Sequence, residues 1–213
     1  MMSVQLPDGV VFAMATPLAA PNAVTKIANG PNPILTAPEA ALKEGDIVVL
    51  HGGWHKLNDR PIKLGAKSTL RGLDTTDTTQ YPPESSGGMV QKVLDWQPLQ
   101  QILTAETSGG DQNFITYAFL ENDFESQIPS RQAPVVITLS IADDDTLPGY
   151  RAIKSAAESQ AVRVLRATLP GGTELYYNGY VSLNETPSMT KDQVMAVTAT
   201  FSLIARPMRY GKR

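Results

Sequence analysis

VRVLRATLPGGTELYYNGYVSLNETPSMTKDQVMAVTATFSLIARPMRY, residues 162–210, decides the fold. It reads as three long strands joined by turns and followed by a small basic tail, with no resemblance to a catalytic loop. Pro170-Gly171-Gly172-Thr173 is a hairpin signal between two β-rich runs. Tyr176, Tyr177, Tyr180, Val181 and Leu183 suit a pleated, half-buried surface. A turn is expected at Asn184 to Pro187, and from Met195 onward the residues alternate. Met195, Val197, Ala199, Phe201 and Leu203 point one way, and Thr198, Thr200 and Ser202 the other. One face of the last strand is therefore core and the other a lane of hydroxyls, as in a sandwich or barrel that uses its outer surface.

Outward from that stretch, the chain of 213 residues is long enough to bury a sizeable core. Its formal charge of −3 argues against a protein whose main task is gripping phosphates. With no cysteine, neither a disulfide framework nor a Cys-ligated metal site can form, which suits assembly in a reducing cytoplasm. No apolar run approaches the ~20 residues needed to cross a bilayer, so no membrane partner is expected. The start, Met1 to Asp8, lacks the positively charged region of a secretory signal.

Residues 1–38 are expected to form one strand, around Val10 to Ala15, followed by an extended arm. Pro17, Pro21, Pro31, Pro33 and Pro38 deny that arm a long helix or a central strand. Ile27, Ile34 and Leu35 give it something to bury, with a neighbouring subunit as one candidate. Residues 39–213 are expected to form a single β domain. Asp46 to His51, Arg60 to Leu64 and Ser68 to Leu73 are candidate strands of a small β unit packed on its main body. Residues 74–88, DTTDTTQYPPESSGG, form a polar segment longer than most connections, expected to be functional or disordered. Met89 to Leu94, Asn113 to Leu120 and Ala133 to Ala142 are strands, with a short turn at Pro98 to Leu103. Pro148 to Gln160 is the one convincing helix. Asp145 or Thr146 would cap it, and Tyr150, Ile153 and Ala157 form its apolar stripe. The fold class is mainly β: a sandwich or barrel with one flanking α-helix and extended arms and loops.

Candidate chemistry is thin. His51 and His55 flank a Gly52-Gly53-Trp54 turn, and the glycines break the helical spacing that a zinc pair needs. Asp143-Asp144-Asp145 lacks the alternation of a calcium loop and suits a helix start. Glu121, Asp123 and Glu125 read as a solvated loop. Together with Glu174 they could supply paired carboxylates, but no general acid beside an aromatic cleft accompanies them. There is no G-x-S-x-G, Walker loop or G-x-G-x-x-G, so no enzyme activity and no cofactor are expected. Tyr176 and Tyr180 could share a face as a sugar-stacking platform, though packing accounts for them better. The tail cations Arg206, Arg209, Lys212 and Arg213 suit an acidic patch on a neighbouring subunit better than DNA.

The order LPGGTELYYNGYVSLNETPS, a long alternating strand, then Arg206-Pro207-Met208-Arg209-Tyr210 resembles the end of a major tail tube protein of long-tailed, non-contractile bacteriophages. Glu44 to Val49 with Gly53-Trp54 and Leu57-Asn58 is similar to an N-terminal segment of that family. So is Leu73 to Asp77, followed by Trp96 and Ser108-Gly109-Gly110. The resemblance implies a structural virion protein whose hexameric rings stack into a tube, the conduit for double-stranded DNA during ejection. It also implies tape-measure, tail terminator and tail-tip proteins as partners, with assembly in the host cytoplasm. On that reading Thr198, Thr200 and Ser202 are candidates to line the channel. Asp74, Thr75, Asp77, Tyr81, Arg206, Arg209 and Tyr210 are candidates for contacts between subunits. The alternatives are a tail terminator or distal tail protein and, from another class, a carbohydrate-binding β-sandwich.

Overall fold

The computed structural model describes residues 8–121 and 123–212. The chain opens with β1 (Val11–Ala15), then makes three short strands, β2 (Asn22–Val24), β3 (Lys26–Ile27) and β4 (Leu35–Thr36). Next come β5 (Ile47–His51), β6 (Pro61–Lys63) and β7 (Gly88–Lys92). β8 (Trp96–Leu99) and β9 (Ile102–Gly109) lead to β10 (Gln112–Tyr117), β11 (Ser126–Gln132) and β12 (Val135–Ala142). The helix α1 (Pro148–Glu158) separates these from β13 (Val162–Thr168), β14 (Glu174–Ser188), β15 (Ala196–Leu203) and β16 (Met208–Tyr210). Among the described residues the architecture is mainly β with one α-helix.

The large sheet has the order β8-β1-β13-β14-β15-β12-β9, with β16 added to β14. Its pairings are antiparallel, so side chains directly opposite one another share a face. One face carries Ile137, Leu139, Val181, Val197, Ala199 and Phe201, all buried, and α1 covers it with Tyr150, Ile153 and Ala156. Among the described residues the other face is covered only over β1, β13, β16, the start of β8 and the first half of β14. There a four-stranded sheet, β2-β7-β5-β6, packs its apolar side on Val164, Tyr176, Met208 and Tyr210. Strand β13 is thus apolar on both sides, Val164 entering one core and Leu165 the other.

Polar side chains tie the two sheets together. Tyr210 accepts a hydrogen bond from the Lys63 amide at 2.9 Å and donates to the Arg71 carbonyl at 3.2 Å. Asn178, fully buried, donates to the Asp59 carbonyl at 2.8 Å. Lys63 pairs with Glu174, which also accepts from the Tyr176 hydroxyl at 3.0 Å. Burial pushes the Tyr176 phenol up, reinforced by the Glu174 charge, so it remains a donor.

Several expectations are corrected. Asn184 to Pro187 is not a turn: β14 runs through to Ser188, and its pairing with β15 shifts register between Asn184 and Ser188, an irregularity that accommodates Pro187. Pro98 to Leu103 holds the end of β8 and the start of β9 in place of a turn. Ser68 to Leu73 forms isolated bridges at Thr69 and Leu70 after a 3-10 turn, with no ladder. The helix N-cap is Leu147, without a side-chain cap, because the Asp144 carboxylate is engaged by the Thr146 amide and hydroxyl one turn earlier. Ala156, not Ala157, completes the buried stripe. In the N-terminal arm, Ile27 and Leu35 are buried within this chain while Ile34 stays exposed. Arg213 and residues 1–7 lie outside the described residues.

Candidate functional site

The uncovered part of the large sheet is a polar surface four strands wide. Thr104 of β9, Ser140 of β12, Thr198 of β15 and Asn184 of β14 form one transverse row. Glu106, Thr138, Thr200 and Ser182 form the next, and Ser108, Val136, Ser202 and Tyr180 a third. The sequence lays down these rows by alternation: Val197, Ala199 and Phe201 must face the helix-side core, which turns Thr198, Thr200 and Ser202 outward. The three candidates are therefore brought together on one open face. No lysine or arginine occurs in the three rows, and Glu106 adds a negative charge. Both margins of this surface are unpaired among the described residues. Strand β9 ends the sheet, and β13 pairs with β14 only as far as Tyr180, leaving Val181 to Ser188 open on that side.

A second feature projects from the margin. Strands β10 and β11 pair only with each other, and almost every side chain on either face is exposed. Phe114 (54% exposed), Ile115 (61%), Phe119 (58%) and Phe124 (75%) are apolar side chains facing solvent. Tyr117 packs edge-on against Phe119, with ring centroids 5.5 Å apart. The hairpin leaves the sheet at Gly109, where φ is +77° and an added Cβ would lie 2.0 Å from the Pro134 carbonyl oxygen. Only glycine fits that bend. Sequence reasoning missed this surface, although a run such as FITYAFL flanked by acids was its available signal.

The remaining candidates disperse. Residues 74–88 fold on their own chain. Thr75 is fully buried, its hydroxyl held by Ala28 and Gly30, and the Asn29 amide donates to the Thr75 and Tyr81 carbonyls at 2.8 Å each. Tyr81 packs edge-on against Trp54 at 5.2 Å, and the Trp54 indole donates to the Pro82 carbonyl. Asp74 and Asp77 accept from Thr76 and Thr79, and these hydrogen bonds lower both carboxyl pKa values. Tyr210 is buried between the sheets, whereas Arg206 and Arg209 are exposed. Thr75 and Tyr210 are thus corrected to internal roles: their polar groups are already satisfied inside the subunit.

The histidine, acidic and tyrosine candidates do not assemble into a site among the described residues. His51 bonds Asp59 at 2.8 Å, while His55 is exposed. Among the described residues no group of three or more His, Cys, Asp or Glu could hold a metal ion. Tyr176 is 2% exposed and Tyr180 51%, so the two cannot form a sugar platform. No helix among the described residues is long and apolar enough to cross a membrane.

No curated relative matches the chain. The profile of the family described as phage tail tube protein, TTP, matches residues 52–212, most of the chain, including the polar face and the hairpin. With its mainly β fold and a match across that surface, this chain belongs to the phage tail tube protein family, a structural component of the virion tail.

Proposed function

We propose that the chain self-assembles into rings of six copies that stack into the tail tube and conduct DNA during ejection. The observation that carries this reading is the pair of unpaired margins flanking a polar face free of cations. A strand edge without a partner is an association site. Two different edges on one subunit, β9 and the far half of β14, make a head-to-tail contact, and such contacts close into rings when the rotation permits. Six copies contributing four strands each give a wall of about 24 strands. At ~4.8 Å per strand that wall has a backbone diameter of roughly 37 Å before strand tilt widens it.

The chemistry of the face suits passage. Phosphates bind tightly where lysine and arginine neutralise them. The rows containing Thr198, Thr200 and Ser202 offer hydroxyls and Glu106 instead, so a duplex meets weak, exchangeable hydrogen bonds and mild repulsion. Arg206 and Arg209, exposed beside the large sheet, are available to contacts between rings. Tape-measure, terminator and tail-tip proteins are the expected partners at the ends of the tube.

Electron microscopy of the concentrated protein, alone and seeded with tail-tip complex, tests the reading. Hollow tubes of uniform bore are expected. Thr198→Asp with Thr200→Asp should leave tube formation intact, because a lumen position touches no neighbour. A chain that stays monomeric under both conditions overturns the proposal.

A further inference from the structure

Three arginines meet at the root of the β10–β11 hairpin with no acid among them. Arg60, Arg131 and Arg206 line one cleft of about 710 Å³, walled by the link into β12 and by the residues after β15. No Asp or Glu lines it, and among the described residues none of the three forms an ion pair. Arg60 is the most constrained. Its Nη2 donates to the Met208 sulfur at 2.7 Å, and its Nε is buried without a partner. Burial, with the like charge of Arg206 nearby, pushes the Arg60 pKa down. A cation held this way is short of counter-charge, and the cleft favours an anion.

The complementary charge is on the same chain and out of its reach. Between Gln112 and Ser130 the hairpin carries Glu121, Asp123 and Glu125 and no lysine or arginine. These acids sit exposed at the far end, beside Phe119, Leu120 and Phe124. Gln112 lines the cleft, and the six residues of β10, about 20 Å at ~3.3 Å per residue, carry the chain away from it before the turn that holds Glu121. While the β10–β11 ladder is intact, the tip cannot turn back on its own root.

We propose that the acidic, apolar tip of the hairpin on one copy of this chain seats in the arginine cleft of a second copy. The inference rests on the self-assembly reading above and names the contact that propagates it. Tip and cleft are different patches at opposite ends of one element, so the contact is head-to-tail and unsaturated at each step. A phosphate occupant would satisfy the arginines alone, whereas the tip also offers three apolar side chains that want cover.

The absence of cysteine allows a clean test. Asp123→Cys combined with Ala205→Cys, oxidised with copper phenanthroline in air, should give a ladder of dimers, trimers and higher species on a non-reducing gel. Each single variant should stop at a dimer or below. Reversing the tip (Glu121→Arg, Asp123→Arg, Glu125→Arg) or the cleft rim (Arg131→Glu, Arg206→Glu) should raise the concentration needed for assembly at least tenfold, and mixing the two variants should restore it. Wild-type tubes without a ladder or a charge-swap effect overturn the tip-in-cleft contact and leave self-assembly standing. A wild type that never assembles, with no ladder, overturns both. Retention of a double-stranded oligonucleotide by the wild type but not by the rim variant assigns the cleft to phosphates and also overturns the proposal.

Discussion

Two adjacent positions on β15 test the division of the large sheet into a core face and an open face. Phe201 is 1% exposed and lies in register between Ile137 and Val181. Truncation to alanine removes a full aromatic ring from a packed core and leaves a cavity, a loss of about 3–5 kcal/mol. For a chain of this length each kcal/mol moves Tm by roughly 2–4 °C, so Phe201→Ala should melt about 6–20 °C lower. Its neighbour Ser202 points the other way, with an exposed side chain that makes no hydrogen bond among the described residues. Ser202→Ala should change stability by no more than about 0.5 kcal/mol, a shift of about 2 °C at most. Circular-dichroism melts and urea midpoints at a concentration where the protein is monomeric measure both. A shift above ~5 °C for Ser202→Ala would mean that the polar face is covered within the subunit. A shift below ~2 °C for Phe201→Ala would mean that the helix-side face is not the core, and either result refutes the two-faced architecture.

Three further outcomes follow from the same packing. Glu174 is held below its ordinary value of 4.5, because hydrogen bonds from Lys63 and Tyr176 outweigh the opposing effect of burial. Its contribution is therefore complete above pH 4.5 and lost as pH falls through the lowered folded value, and Glu174→Gln should flatten the acid limb of a Tm-against-pH curve. Gly179→Ala should be destabilising by about 1–3 kcal/mol or prevent folding, since the added Cβ would sit 2.3 Å from the Ser202 carbonyl oxygen, a backbone atom fixed by the ladder; an unchanged urea midpoint would contradict that geometry. Replacing residues 112–132 by a short Gly-Ser turn should leave Tm within about 2 °C, because the hairpin packs chiefly on itself, while tubes disappear from micrographs; normal tubes from this deletion would remove the hairpin from assembly.

What was legible in the sequence was whatever burial writes into it. Residues 196–203 alternate because one side meets α1 and the other water, and β12 repeats the pattern in Val135 to Ala142. The helix announced itself through Tyr150 and Ile153, although its stripe continued at Ala156. Strand β11, Ser-Gln-Ile-Pro-Ser-Arg-Gln, was invisible because a hairpin wet on both faces needs no periodicity. The end of β14 was misread for a related reason. Asn184-Glu185-Thr186-Pro187 has turn composition, yet the chain stays extended through a register shift. Residues 74–88 carry few apolar side chains, so nothing local marks Thr75 as buried. Its burial is imposed by Ala28, Asn29 and Gly30, more than forty positions away. The open face was legible because its residues alternate along one strand, and the hairpin was missed because its exposed apolar side chains follow no burial pattern.

Ala15 stands opposite Trp96 in the β1–β8 pairing, so the chain leaves the large sheet and re-enters it at adjacent points. Residues 16–95, with the whole four-stranded sheet, are an excursion whose two ends are already side by side. Replacing that excursion with another folded unit would impose no new closure of the chain, and loop-closure cost grows only slowly with the length inserted. The region can be treated as a cassette on the large-sheet scaffold, open to grafting of a displayed domain. Any substitute must lay an apolar underside on Val164, Tyr176 and Met208 and must also supply partners for Asn178, Glu174 and Tyr210, which now bond Asp59, Lys63 and Arg71.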